Sequence, residues 1–252
     1  MQEAAGNGPL ISVITVCFNA KKELSETFRS VREQDSNLFE YVIIDGDSKD
    51  GSKELFESNA DIIDVLISEA DQGIYDAMNK GMKNSKAPFL WFMNAGDLFY
   101  EADTVKKVCE HLKLSGAWAS YGDAMLIDVD HNQLGLRRGS APRELGFKSL
   151  KYGMEVCHQA FVVHRDCVSD YSLDYKISSD IDWMLRILKK CGPFQKHEAI
   201  YCNFLIGGIS SNIYRKSWKE RYKVLSSHYG LLPNFFNHII ISLRYILQKL
   251  KG

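Results

Sequence analysis

The sequence has no apolar stretch as long as the roughly 18–20 residues that a membrane-spanning helix needs. It also has no heptad run and no Gly-X-Y period, and 45% of its 252 residues are hydrophobic. This composition excludes a coiled coil, a collagen-like chain and extended disorder. The first residues, MQEAAGNGP, lack the basic and apolar segments of a secretory signal. We therefore expect a globular cytoplasmic protein with one large α/β domain or two small ones.

Known cysteine and phosphate motifs are also missing. The six cysteines show no CxxC or other metal-like spacing and lie mostly among apolar neighbours, which predicts buried, reduced thiols. No GxGxxG follows the first predicted strand, and no GxxxxGK[ST] occurs anywhere. A dinucleotide fingerprint and a phosphate-binding P-loop are therefore not expected.

The net charge of −1 hides an uneven distribution. Residues 213–252 contain eight Lys or Arg and one Glu, a net charge of +7, so the preceding 212 residues carry −8. Apolar residues at helical spacing between Phe235 and Leu250 predict a basic amphipathic helix, which suits an anionic membrane surface. Packing on the body or in a dimer interface is the alternative. The acidic body gives no support for nucleic-acid binding.

Strand and helix patterns alternate through the first half. Apolar runs predict strands at 11–18, 41–44, 65–68 and 89–93, and helices are predicted at 21–34, 52–57 and 104–114. In DQGIYDAMNKGM, residues 74, 77, 78 and 81 predict one buried helix face, with Asp76, Asn79 and Lys80 on the opposite side. Such β-then-α units predict a parallel sheet with right-handed crossovers.

The second half has a less regular pattern. Strands are predicted at 120–128, 133–138, 161–164 and 199–205, and a helix at 178–190. No internal repeat or low-complexity linker interrupts the chain. We therefore expect one compact body over residues 1–212, followed by a helical appendage over 213–252.

Polar residues follow each of the four predicted parallel strands. Ligands of such sheets sit beyond the carboxyl ends of the strands, so these residues predict a site at one rim. Each alone is an ordinary turn residue. Because an acidic rim repels phosphate, a bound diphosphate would need a divalent metal on oxygen ligands. The rim residues are Asn19, Asp45, Asp47, Glu69, Asp71, Asn94 and Asp97.

Several segments together resemble the family 2 glycosyltransferases, which have a GT-A fold. They are SVITVCFN, VIIDGDSKDGS, SEADQGIYDAMNKGM, FLWFMNAGD, YGDA, CHQAFVVHRD, YKISSDIDWMLRI and GGIS, in family order over most of the chain. The sequence is most similar to the bacterial exopolysaccharide and O-antigen type, such as the colanic-acid glycosyltransferases. The resemblance implies a Rossmann-like, mostly parallel central sheet flanked by helices. It also implies a nucleotide-sugar half over about residues 10–97 and an acceptor half over about 98–212.

The resemblance assigns donor-side roles by position. Thr15 and Phe18 match the segment that flanks the nucleotide base, and Asp45 matches the aspartate that hydrogen-bonds the base. The further donor-side residues are Asn19, Asp71, Asp76, Asn79 and Asn94. The segment from Asn94 to Asp97 stands in place of the metal-binding DxD-type motif, with Asp97 as its only carboxylate. Asp97 is thus the expected ligand of Mg²⁺ or Mn²⁺, together with diphosphate oxygens and waters.

The resemblance also assigns acceptor-side roles. Asp180 matches the catalytic base; capping the following helix is its alternative role. Asp182 either acts directly or balances the helix dipole. His158 lies near the acceptor pocket or is simply packed, and Gly208 belongs to a loop beside the acceptor or to a plain turn.

The resemblance implies an inverting enzyme of bacterial surface-polysaccharide assembly. It would move a sugar from a nucleotide-sugar donor, most often a UDP-sugar, to a saccharide or lipid-linked acceptor. A peripheral position on the inner face of the plasma membrane would fit the tail. The alternatives are an inactive nucleotide-sugar-binding scaffold and a sugar-phosphate nucleotidyltransferase, which should carry a Gly-rich phosphate loop. Oligomeric state stays open.

Overall fold

The computed structural model describes residues 8–206 and 214–249. The first half alternates strands and helices, as predicted. In order these are β1 (Ile11–Cys17), α1 (Lys21–Arg32), β2 (Phe39–Asp45), α2 (Ser52–Ser58), β3 (Val65–Ser68), α3 (Ile74–Asn84) and β4 (Phe89–Phe92).

The second half has more strands and ends in two helices. It comprises β5 (Leu98–Phe99), α4 (Thr104–Ser115), β6 (Ala119–Ile127), β7 (Gln133–Leu136), β8 (Glu144–Leu145), β9 (Phe161–His164), α5 (Ser179–Cys191), β10 (Phe194–Leu205), α6 (Tyr214–Tyr229) and α7 (Leu231–Lys249). A 3₁₀ turn at Phe147–Tyr152 lies between β8 and β9.

The strands form one mixed sheet in the order β3-β2-β1-β4-β9-β6-β10-β5. The first four are parallel, with Ile11 of β1 opposite Phe39 of β2 and Phe89 of β4. β9 runs antiparallel to β4 and β6, whereas β10 is parallel to β6. The predicted α/β fold with a helix-flanked central sheet is confirmed. Its four neighbouring parallel strands, β1 to β4, come from the first half of the chain.

Both faces of the sheet are covered by core. In β1, Ile14 and Val16 belong to one hydrophobic cluster, whereas Ile11, Val13 and Cys17 belong to another. This alternation follows from the two-residue period of a strand. It explains why the sequence of β1 is a continuous apolar run, as expected for a strand buried on both sides.

Helix α3 packs closely on the sheet. The sequence pattern predicts Asn79 on the solvent side of this helix, but in the structure Asn79 is buried. A Cβ at Gly81 would lie 2.5 Å from Cγ2 of Ile14, so a side chain there would force the helix away from β1. Tyr75 and Asn79 are buried, whereas Asp76 and Lys80 stay partly accessible. The predicted exposure of Asn79 is wrong because the segment around Tyr171 covers that side of the helix.

Two helices, rather than one, end the chain. They meet at Gly230, whose φ of +88° lies in the left-handed region that favours glycine. α6 packs against α5 and α7, and α7 also contacts the 3₁₀ turn. No helix of the described residues is both long and apolar enough to cross a membrane. The predicted boundary at residues 212 and 213 lies outside the described residues.

Candidate functional site

An aromatic ring and a carboxylate meet at the end of the first strand. Phe18 directly follows β1, and its side chain is 63% exposed although it is large and apolar. A Cβ on Gly46 would lie 3.1 Å from the Phe18 ring and 2.6 Å from Oδ2 of Asp71. Phe18 and Asp71 thus pack side by side over the backbone of Gly46, and we call this partly exposed surface the shelf. Asn19 ties this shelf to the next loop, since its Oδ1 accepts the N–H of Lys49 at 2.9 Å.

Two donor-side residues lie beneath the shelf. Asp45 is fully buried and accepts hydrogen bonds from the N–H and hydroxyl of Ser48 and from the hydroxyl of Ser68 at 2.6 Å. Thr15 is also fully buried, and its hydroxyl donates to the carbonyl of Met93 at 2.6 Å. In this structure both side chains therefore support the loops of the rim rather than line its surface.

Asp71 and Asp76 shape the turn that enters α3. Oδ1 of Asp71 accepts the N–H of Gly73 at 2.7 Å, and Oδ2 of Asp76 accepts the N–H of Gln72 at 3.0 Å. Lys80 lies 2.8 Å from Glu69 and 3.8 Å from Asp76. The negative charge of this part of the rim is therefore partly neutralised by a lysine of the same helix.

Asn79 connects the two halves of the chain. Its Nδ2 donates to the carbonyl of Tyr171 at 3.0 Å, and its Oδ1 accepts the N–H of the same residue at 2.7 Å. Because both amide groups are used, Asn79 is not open to a ligand. It fixes the segment around Tyr171 against α3.

Asp180 lies in the first turn of α5 and stays partly accessible. Its Oδ1 accepts the N–H of Ile181 at 2.9 Å and the hydroxyl of Tyr75 at 3.3 Å. Burial raises the pKa of Asp180, while the positive charges of Arg137 and Arg221 act to lower it. A raised pKa makes this carboxylate a better proton acceptor than an ordinary aspartate.

A stack of three aromatic rings lies beside Asp180, and its first ring, Tyr75, donates the hydrogen bond to this carboxylate. Tyr75 stacks on Tyr171 at a ring distance of 5.5 Å, and Tyr171 stacks on Trp183 at 4.7 Å. His158 is buried behind the stack, where its Nε2 shares a 2.6 Å hydrogen bond with the hydroxyl of Tyr171. Burial lowers the pKa of His158 to about 4, so its ring is neutral at pH 7. In this structure His158 supports the wall of the site.

Comparison with known proteins identifies the family. The family described as "Glycosyl transferase family 2" matches residues 12–171, more than half of the chain. The chain belongs to the family 2 glycosyltransferases.

Relatives and a solved structure agree with this assignment. An uncharacterized glycosyltransferase of Mycobacterium tuberculosis is 31% identical over 214 residues, which cover 82% of this chain and 79% of that protein. The Escherichia coli protein WfgD, named a UDP-Glc:alpha-D-GlcNAc-diphosphoundecaprenol beta-1,3-glucosyltransferase, is 23% identical over 95% of this chain and 91% of its own. S. aureus TarS 1-349 in complex with UDP-GlcNAc superposes with a TM-score of 0.67 at 14% identity, covering 86% of this chain and 66% of TarS 1-349.

The segment from Asn94 to Asp97, which stands in place of a metal-binding motif, has no exposed carboxylate. Asp97 is buried; Oδ2 accepts the amide of Gln159 at 2.8 Å, and Oδ1 accepts the N–H of Leu205 at 3.2 Å. Burial raises the pKa of Asp97 well above its usual range. In the part of the chain described, the Oδ1 of Asn94 is buried without a hydrogen-bond partner.

The residues present therefore do not fit a protein-held divalent ion. No three His, Cys, Asp or Glu side chains come together as a metal site within residues 8–206 and 214–249. One amide oxygen is a small share of the six or more oxygen ligands that Mg²⁺ or Ca²⁺ takes. An Mg²⁺ or Mn²⁺ ion held mainly by the phosphates of a donor stays a prediction.

Two acceptor-side assignments are placed differently. Asp182 faces α6 rather than the site: its Oδ1 lies 2.7 Å from Nε2 of His228, and its Oδ2 accepts Nε of Arg186 at 2.9 Å. Burial acts to raise the pKa of Asp182, but these partners outweigh it and the pKa is lowered. Gly208 lies outside the described residues.

Sequence reasoning missed several side chains that act on Asp180 or pack beside it. One signal was present: Tyr75, Met78 and Met82 recur at i, i+3 and i+7, which places Tyr75 on the buried face of α3. Trp183 lies in the same helix as Asp180. The remaining residues come from other segments, and their approach depends on the tertiary fold; they are Arg137, Tyr171 and Arg221.

Proposed function

We propose that this glycosyltransferase moves a sugar, with inversion, from a UDP-sugar to a saccharide or lipid-linked acceptor in bacterial surface-polysaccharide assembly. The observation that carries the proposal is Asp180, a partly accessible carboxylate of raised pKa that is held by Tyr75. The name of WfgD includes UDP-Glc and a diphosphoundecaprenol-linked acceptor, which supports the choice of donor and acceptor.

The chemistry that these residues support is a single displacement. An acceptor hydroxyl attacks the anomeric carbon, its proton passes to a carboxylate oxygen of Asp180, and the bond to the nucleoside diphosphate breaks. One base is enough because inversion needs no covalent intermediate. Arg137 and Arg221, whose positive charges act on Asp180, are the side chains that we propose to stabilise negative charge on the departing diphosphate.

The donor base fits the exposed shelf at the end of β1. The exposed ring of Phe18 offers a stacking face for a flat base. Asp71 stands at the edge of this shelf. These features support a nucleotide rather than a bare sugar phosphate.

Nucleotide release tests the proposal. The purified protein is incubated with UDP-, GDP- and dTDP-sugars, with a polyprenyl-diphosphate-linked GlcNAc as acceptor, and with either Mn²⁺ or EDTA. We expect UDP release from one UDP-sugar, faster with acceptor than without. No release from any donor, together with no UDP-induced rise in melting temperature, would contradict it. Binding of UDP without turnover would favour an inactive scaffold, a function that the engaged carboxylate of Asp97 keeps open.

The exposed apolar side chains of α7 support the proposal that this protein binds a membrane surface. Several large apolar side chains of α7 are exposed: Leu231, Leu232, Phe235, Phe236, Ile239, Ile240 and Leu243. The sequence of residues 213–252 adds a net charge of +7, which complements anionic lipid headgroups. Burial of apolar rings plus this attraction would hold the enzyme on the cytoplasmic leaflet, where lipid-linked acceptors are reached.

Changing Phe235 and Phe236 together to serine should weaken vesicle binding at least about tenfold, because two exposed rings no longer enter the lipid interface. Cosedimentation with vesicles of phosphatidylcholine and phosphatidylglycerol measures the effect, and pure phosphatidylcholine should bind less of the wild type. Leu114→Ser is the control, since this leucine is 89% exposed on α4. Equal sedimentation of the double variant and the wild type would refute the membrane role.

A further inference from the structure

A glutamate of α6 holds the segment that leads into the helix of the base. Oε1 of Glu220 accepts the N–H of Lys176 at 2.8 Å. Oε2 accepts the N–H of Ile177 at 2.6 Å and that of Ser178 at 2.7 Å. Three successive backbone donors thus converge on one carboxylate that lies 42 residues further along the chain.

This contact lies next to Asp180 in the chain. Helix α5 begins at Ser179. The last of the three bound N–H groups belongs to Ser178, two residues before Asp180. The hydroxyl of Ser179 donates to the carbonyl of Ser172 at 2.8 Å, which fixes the same turn from its other side. Because consecutive backbone groups converge on one anion in few conformations, the position of residues 176–178 is closely defined. Any shift of these residues moves Asp180.

The geometry requires a carboxylate rather than any polar side chain. Its two oxygens offer about four lone pairs, enough for three donors, whereas an amide has one accepting oxygen. Hydrogen bonds to a charged acceptor are also about twice as strong as neutral ones. A glutamine at position 220 would therefore leave at least one N–H poorly satisfied and the turn less firmly held.

A second contact joins α6 to the first turn of α5. Nε2 of His228 lies 2.7 Å from Oδ1 of Asp182, two residues beyond Asp180. α6 therefore holds the chain on both sides of the base, at residues 176–178 and at Asp182. Neither contact includes Asp180 itself, so both act on its position and not on its bonding.

We propose that Glu220 is a positioning residue for sugar transfer: it fixes the backbone that aims Asp180 at the acceptor hydroxyl. This inference rests on the proposed role of Asp180 as base. Glu220 touches neither substrate in this arrangement, because its carboxylate is used by the three backbone donors. The nucleotide shelf around Phe18 is built from other segments and does not depend on Glu220.

The test compares Glu220→Gln with Glu57→Gln, which makes the same change at an exposed site on α2. We expect Glu220→Gln to lower kcat about 10- to 100-fold, the scale of a small misplacement of a catalytic group. KM for the donor and the UDP-induced rise in melting temperature should stay unchanged. Glu57→Gln should match the wild type. Glu220→Asp keeps the charge with a shorter side chain, so its kcat should fall less than that of Glu220→Gln. If Glu220→Gln does not fold, Glu220→Asp is tested in its place.

A double-variant cycle separates positioning from general support. If Glu220 acts through Asp180, then adding Glu220→Gln to Asp180→Asn should lower kcat less than twofold further. A wild-type kcat in the folded Glu220 variants, or an equal loss with and without Asp180, would overturn the inference. A wild type that shows no transfer would instead refute the proposed function, and so the two failures are distinct.

Discussion

Asp180→Asn is expected to lower kcat for sugar transfer by about 10²- to 10⁴-fold, the range that a general base contributes. The amide cannot accept the proton of the acceptor hydroxyl, although it keeps the size and the contact with Tyr75. UDP affinity should stay within about twofold, because the shelf at Phe18 is built from other segments. Steady-state rates with the lipid-linked acceptor and calorimetric binding of UDP measure the two effects.

Asp174→Asn is the matched control, since Asp174 is exposed in the segment that precedes α5. It should keep the wild-type rate. The pH profile gives a second check: because burial raises the pKa of Asp180, kcat should fall as the pH drops through a value above that of an ordinary aspartate. A rate for Asp180→Asn within tenfold of the wild type would argue against Asp180 as the base.

Asp97→Ala should lower the free energy of unfolding by about 2–4 kcal/mol. The change leaves the amide of Gln159 and the N–H of Leu205 without their buried acceptor, and each unsatisfied group costs about 1–3 kcal/mol. Urea denaturation followed by circular dichroism measures the loss. Asp130→Ala, in an exposed turn, should unfold with the wild type.

The alternative role of Asp97 makes the opposite prediction. If Asp97 served only as a ligand of Mg²⁺ or Mn²⁺, the alanine variant would keep its stability and need more metal for activity. Unchanged unfolding together with a raised Mn²⁺ requirement would therefore contradict the buried, structural role. Loss of stability without any change in Mn²⁺ dependence would support it.

The parallel half of the fold was predictable because its strands are buried on both faces. β3 begins and ends at its predicted residues, and β1 and β4 each end one residue before their predicted ends. The error at Asn79 arose because periodicity reports which residues are apolar, not which polar residues are covered by another segment. β10 was predicted to begin at 199 but begins at Phe194, because residues 195–198 are all polar and give no strand pattern, although Phe194 and Gln195 pair with β8.

The site was predictable only in part. The resemblance selected Phe18, Asp71 and Asp180, which the structure leaves partly or largely accessible. It also selected Thr15 and Asp45, whose burial depends on Met93, Ser48 and Ser68 around them. Glu220 gave no local signal, because its three partners are backbone groups of a distant segment. Contacts of this kind depend on the tertiary fold rather than on residue type and spacing.

The joint between Asn79 and residue 171 bears on how such enzymes can be recombined. Asn79 contacts only main-chain atoms there, so it accepts any side chain at position 171. Acceptor-side sequences can therefore diversify while their docking to the nucleotide half is kept. A chimera that joins the nucleotide half of this chain to the acceptor half of a relative has to keep the asparagine and the path of the partner backbone. The tyrosine side chain is not needed for this joint, but its ring is needed for the aromatic stack beside Asp180.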